Sequence, residues 1–115
     1  MIQKTLLIVD DETDVRESLR DALAEEGYAI LVANNGRDAL ALLPTLERPC
    51  AVILDIIMPG MSGTEVYGAM RLNPSLADIP VLVSTSDPSR APNQVPVLKK
   101  PINLDRLLAV VAGLF

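Results

Sequence analysis

The sequence predicts an α/β domain in which a parallel sheet of five strands is wound on both faces by helices. Three observations predict it. Short, nearly unbroken apolar runs alternate along the chain with stretches of helical periodicity, the pattern of repeated strand–helix–strand units. The runs lack polar–apolar alternation, as expected of strands covered on both faces. The chain has 115 residues, 50% of them apolar but only 3% aromatic, which is enough for one aliphatic core and no second module.

The first run is residues 6–9 (LLIV). After it, Val15, Leu19, Ala22 and Leu23 form a helical stripe, with Glu12 and Arg16 spaced to pair at i,i+4 on the wet side. Gly27 stops that helix ahead of the second run, residues 29–33 (AILVA). The turn residues Asn34, Asn35 and Gly36 lead into a second helix over 37–43, and the third run is 51–54 (AVIL). A third helix follows Ser62, with Val66, Ala69 and Met70 on one side, and delivers the chain to the fourth run, 81–83 (VLV). The fifth and weakest run is 95–98 (VPVL).

Asn103 is placed to cap the last helix, whose stripe is Leu104, Leu107, Leu108 and Val111. That helix also carries Ala109, Val110, Leu114 and Phe115, so it is apolar nearly all round. Chain-end packing is the expected reason, with a docking or dimer face as the alternative. Residues 86–94 (SDPSRAPNQ) break the alternation. The segment is short, and Pro88 and Pro92 remove bonds a short helix cannot spare. The helix between strands four and five is therefore expected to be missing or truncated to a single turn. Right-handed crossovers leave few topologies, of which the flavodoxin-like order 2-1-3-4-5 is the expected one. No repeat, linker or low-complexity segment divides the chain, so residues 1–115 read as one domain.

Composition excludes several function classes. Ten Lys plus Arg against 15 Asp plus Glu give a net charge of −5, which argues against direct binding of nucleic acid over a broad face. Metal cations or basic partners suit the balance better. The chain has no His, which excludes Ser–His and Cys–His nucleophile pairs, His-ligated zinc and a phosphohistidine carrier. One cysteine, Cys50, excludes an internal disulfide and reads as a small apolar residue entering a buried strand, in keeping with a reducing cytoplasm. No stretch resembles a signal peptide and no apolar run could span a bilayer, so a cytoplasmic domain with no membrane partner is expected.

In an open parallel sheet, functional groups gather at the carboxyl ends of the strands. Strand one ends in Asp10 and Asp11, strand three in Asp55, strand four in Ser84 and Thr85, and strand five in Lys99 and Lys100. Taken singly, Asp10-Asp11 could cap the first helix, and the lysines and hydroxyls could be solvated strand ends. Asp55 is harder to explain that way, because a carboxylate directly after AVIL in mid-sheet is costly unless it is paired. Three carboxylates at one rim repel unless something positive lies among them. Hard oxygen ligands beside open positions suit Mg²⁺. A lysine and a hydroxyl can hold phosphoryl oxygens. The chemistry that uses all of these is phosphoryl transfer onto a carboxylate.

These residues resemble the receiver domains of two-component response regulators, typified by the chemotaxis response regulator. The likeness covers essentially the whole chain. It rests on Asp10-Asp11 after strand one, Asp55 followed by Met58-Pro59-Gly60-Met61-Ser62-Gly63, Thr85 after strand four, and Lys100-Pro101 after strand five. The resemblance implies that Asp55 accepts a phosphoryl group from a sensor histidine kinase or phosphotransfer protein. It implies Mg²⁺ bound by Asp11, Asp55 and the backbone carbonyl of Ile57, with Asp10 acting largely through water. Thr85 and Lys100 would hold the phosphoryl oxygens, and the Lys100–Pro101 bond would be cis. Beyond phosphotransfer to its own aspartate and slow autodephosphorylation, no enzymatic turnover is implied.

Two departures bear on output. Relatives commonly carry an aromatic residue three positions before the lysine, and here that position is Val97. The shortened fourth helix removes part of the face that relatives use for dimerisation and docking, so the output partner is unknown and a phosphorylation-dependent dimer is left open. Ile57 and Asp87 occupy the positions that help set phosphoaspartate lifetime in relatives. Two rivals remain. A degenerate receiver would act as a constitutive binding module without phosphorylation, although no acidic or lysine residue of the set is missing. A phosphatase of the haloacid dehalogenase type would need D-x-D after its first strand and a cap domain. Asp10-Asp11-Glu12 and the chain length do not fit that class.

Overall fold

The five apolar runs form one parallel sheet, as the alternation predicts, in the expected order 2-1-3-4-5. The computed structural model describes residues 3–47 and 50–115. Strands β1 (Thr5–Val9), β2 (Ala29–Ala33), β3 (Cys50–Asp55), β4 (Val81–Thr85) and β5 (Val97–Lys99) alternate with helices α1 (Thr13–Glu25), α2 (Gly36–Leu42), α3 (Gly63–Leu72) and α4 (Leu104–Ala112). Between β4 and β5 the chain makes a single 3₁₀ turn, Pro88–Arg90, in place of a helix. Asp87 caps that turn by accepting from the Ser89 N–H and hydroxyl.

Side chains alternate between two apolar layers, as they must along a pleated strand. Leu7, Val9, Val52, Leu54, Val81 and Val83 face α2 and α3 and pack with Ala39, Val66 and Met70. Leu6, Ile8, Ala51, Ile53, Leu82 and Leu98 face α1 and α4 and pack with Leu19, Leu23, Leu107 and Val111. This alternation places the functional rim. Asp10 follows Ile8, Asp55 follows Ile53 and Lys100 follows Leu98 at the two-residue step, so all three continue the α1/α4 layer at the carboxyl ends of the strands. Thr85 follows Val83 and belongs to the opposite layer.

The helix signals read from sequence are in place. Asn35, Ser62 and Asn103 each accept a backbone N–H three residues on. Ser62 and Glu65 complete a reciprocal capping box. Gly27 adopts φ +96° past the end of α1, with its N–H on the Ala24 carbonyl. Gly63 is required for a different reason. A Cβ there would lie 2.1 Å from the Asp55 carbonyl oxygen and 2.7 Å from Ile56 Cα, because α3 starts directly against the end of β3. Gly63→Ala should therefore destabilise the domain by about 3 kcal/mol, measured by urea unfolding.

Four expectations change. The second helix begins at Gly36 and gives way at Leu43 to a 3₁₀ turn, where Pro44 cannot donate the next helical bond. The fifth strand starts at Val97 rather than residue 95, after Gln94 turns the chain at φ +67°. β2 is not covered on both faces, and Leu31 and Val32 are 40% and 38% exposed because β2 is an edge strand. Glu12 and Arg16 each turn to other partners. The Arg16 guanidinium donates to the Asp10 carbonyl at 2.9 Å, and Glu12 reaches Lys100. At the end of α4, Phe115 stacks on Tyr28 with ring centroids 6.0 Å apart and lies under the Lys4 ammonium, which accounts for it by packing.

Candidate functional site

Lys100 is the hub of the rim. Its ammonium lies 2.9 Å from Asp10 Oδ2, 3.3 Å from Glu12 Oε1 and 3.4 Å from Asp55 Oδ2. The backbone brings it there from the far side of β4. The Lys100 N–H donates to the Thr85 carbonyl at 2.8 Å, and the following Lys100–Pro101 bond is cis, as the resemblance implies.

Asp10 and Asp55 are buried, and each has one oxygen tied to the backbone. Asp10 Oδ1 accepts the Glu12 N–H at 2.9 Å, and Asp55 Oδ1 accepts the Ile57 N–H at 3.1 Å. Asp10 Oδ2 is satisfied by the Lys100 ammonium. Asp55 Oδ2 is different. It has no exposed surface and accepts no aligned hydrogen bond among the described residues, although the Lys100 charge is close. Burial pushes the Asp55 carboxyl up to about 6, reinforced by the Asp10 charge and opposed by Lys100 and the Ile57 N–H. For Lys100, burial works against the charged form. The hydrogen bond and charge of Asp10, with Asp55 and Glu12, outweigh it and raise the ammonium above its ordinary value.

The Asp55 shift has a consequence for stability. Between the ordinary value of 3.8 and about 6, the folded domain holds a proton that the unfolded chain has released. Stability of the metal-free domain should therefore fall as pH rises through that window. Asp55→Asn should lack this component, which is checked by comparing thermal midpoints at pH 5 and 7.

Carboxylate oxygens of Asp10, Asp11, Glu12 and Asp55 all lie within 4.8 Å of one another. Three of these four carboxylates share the Lys100 ammonium, so negative charge outweighs positive in the cluster among the described residues. That deficit, with an Asp55 oxygen that accepts no aligned hydrogen bond among the described residues, fits a hard divalent cation such as Mg²⁺. The structure brings together Asp10, Asp11, Asp55 and Lys100 from the expected set, and holds Ile57 beside Asp55 by its N–H. Thr85 is buried at the same rim, but its hydroxyl is engaged with the Asp87 backbone, accepting the Asp87 N–H at 3.1 Å. Val97 is half-buried against the α2/α3 layer. Glu12 was not among the expected site residues. Its position beside Asp10-Asp11 is the signal the sequence offers, although its spacing equally suits a surface pair with Arg16.

Fold and site together define a doubly wound α/β domain built around a strand-end aspartate with acidic and lysine partners. The sequence profile of the response regulator receiver domain matches residues 6–112, and the chain belongs to that family. The response regulator MprA of Mycolicibacterium vanbaalenii is 39% identical over 116 residues, covering 95% of this chain and 49% of that protein. Its counterpart in Mycobacterium leprae is 37% identical, with 95% and 50% covered. The chain thus spans about half the length of these curated relatives. Among solved structures, response regulator TrrA of Thermotoga maritima, in complex with Mg²⁺ and BeF, superposes with a TM-score of 0.87 at 36% identity, covering 98% of this chain and all of that one. Chemotaxis protein CheY4 of Vibrio cholerae gives a TM-score of 0.87 at 28% identity, with 99% and 100% covered.

Proposed function

We propose that the domain is a phosphorylation-controlled switch that takes a phosphoryl group from a sensor histidine kinase, or from a phosphotransfer protein, onto Asp55. The observation that carries this reading is Asp55 Oδ2, a buried carboxylate oxygen that accepts no aligned hydrogen bond among the described residues and lies 3.4 Å from the Lys100 ammonium. The Ile57 N–H fixes the other oxygen and so orients the carboxylate. Oδ2 would attack phosphorus in line as the donor's P–N bond breaks, and the departing imidazole nitrogen keeps the electron pair.

Asp11, Asp55 and the Ile57 carbonyl would hold Mg²⁺, with Asp10 acting mainly through water. When bound, the ion neutralises charge on the acidic cluster and on the phosphoryl oxygens. The solved complex of TrrA, 36% identical to this chain, with Mg²⁺ and BeF supports an Mg²⁺ site here. Lys100 would exchange its contact with Asp55 for a phosphoryl oxygen, and Thr85 would give up its bond to Asp87 to do the same. That movement of Thr85 would pull on the turn capped by Asp87, giving a route to the β4–β5 crossover that needs no aromatic at Val97. Self-phosphorylation and slow autodephosphorylation are the whole of the chemistry, and the product is a changed partner surface. No helix among the described residues is long and apolar enough to cross a membrane.

A constitutive binding module is not favoured, because every member of the acceptor set is present and Asp10, Asp55 and Lys100 are in contact. Phosphotransfer from a panel of ³²P-labelled sensor kinases tests the proposal. Mg²⁺-dependent loss of label from one kinase with gain on Asp55 is the expected result. Partner capture by the unmodified domain, with no transfer from any kinase, would favour the constitutive module.

A further inference from the structure

Glu12 stands apart from the other carboxylates on Lys100. Its side chain is 61% exposed, whereas those of Asp10 and Asp55 are 2% and 3% exposed. Its backbone is nonetheless well fixed, with the N–H on Asp10 Oδ1 at 2.9 Å and the carbonyl accepting the Arg16 N–H at 3.0 Å. The Lys100 ammonium is therefore strung between two buried anions and one at the mouth of the site. It also lies against Asp55 Oδ2, an atom with no exposed surface. A phosphoryl group arriving there needs that ammonium. Asp10 and Asp55 then lie beside the cation and the new phosphoryl group, and Glu12 is the carboxylate left to compete for Lys100.

We propose that Glu12 is a positioning residue for Lys100: it tethers the ammonium toward the mouth of the resting site and must release it to the phosphoryl oxygens. It thereby sets how tightly the domain holds its phosphorylated form. The inference rests on the reading of Asp55 as acceptor and Lys100 as phosphoryl-binding residue. Glu12 acts through Lys100 and touches no reacting atom. Because the pair is half in water, its effect is modest, about threefold on binding.

The test uses beryllofluoride at saturating Mg²⁺ as the phosphoryl mimic. Glu12→Gln should bind it about threefold more tightly than the parent. Asp14→Asn, which removes a neighbouring charge on the same helix, should not. In the metal-free protein, the Lys100 side-chain Cε and Nζ resonances should move in Glu12→Gln and stay in place in Asp14→Asn. Unchanged beryllofluoride affinity, an equal gain in Asp14→Asn, or unmoved Lys100 resonances would each overturn the proposal. A marked loss of Mg²⁺ affinity in Glu12→Gln would do so as well, by making Glu12 a metal ligand. If the parent protein binds no beryllofluoride, the acceptor reading fails. The Lys100 resonances still report separately whether Glu12 holds the ammonium.

Discussion

Asp55→Asn should take up no phosphoryl group from any donor while remaining fully folded. The amide keeps an oxygen for the Ile57 N–H and the shape of the side chain, but it supplies no anionic nucleophile. At neutral pH it also removes a buried charge that lies close to the Asp10 carboxylate. The metal-free variant should therefore melt no lower than the parent, and its midpoint should respond less to added Mg²⁺. Retained uptake would move the acceptor to another residue. Unfolding would mean that the Asp55 charge supports the fold, contrary to the strain that its raised pKa indicates.

Lys100→Ala should be the most damaging single change at the site in the absence of metal. It leaves the buried carboxylates of Asp10 and Asp55 without their shared cation. Breaking a buried pair in this way costs about 3 kcal/mol, which urea unfolding would register as a large fall in midpoint. Excess Mg²⁺ should restore most of that loss, since a bound divalent cation offsets the same carboxylates. Metal affinity should be spared or increased, whereas the response to phosphorylation should be lost. A variant defective only in metal binding would contradict the assignment of Lys100 to the phosphoryl group.

Much of this was legible in the sequence. The doubly wound sheet followed from the alternation of runs and helical stripes, its order was one of the few that right-handed crossovers leave, and Ser62, Asn103 and Gly27 marked helix ends that the structure confirms. The shortened β4–β5 crossover was legible because two prolines lie in a segment too short to lose hydrogen bonds. Asp10, Asp55 and Lys100 could be gathered from strand-end placement alone, since the pleat puts them on one layer. What failed depends on position in three dimensions. AILVA has the composition of a buried strand, but its place at the sheet edge exposes Leu31 and Val32. Glu12 matches Arg16 along the helix, yet the ammonium of Lys100, 88 residues further along the chain, is the partner it reaches. The Thr85 hydroxyl belongs to the other layer, and its bond to Asp87 is set by a turn whose geometry the sequence does not display.

The central claim is that Asp55 is a phosphoacceptor, and intact mass after incubation with acetyl phosphate and Mg²⁺ tests it most directly. The account predicts the added mass of one phosphoryl group on the parent protein, mapped to Asp55, and none on Asp55→Asn. A parent protein whose mass stays unchanged with acetyl phosphate and with phosphorylated sensor kinases alike would contradict it.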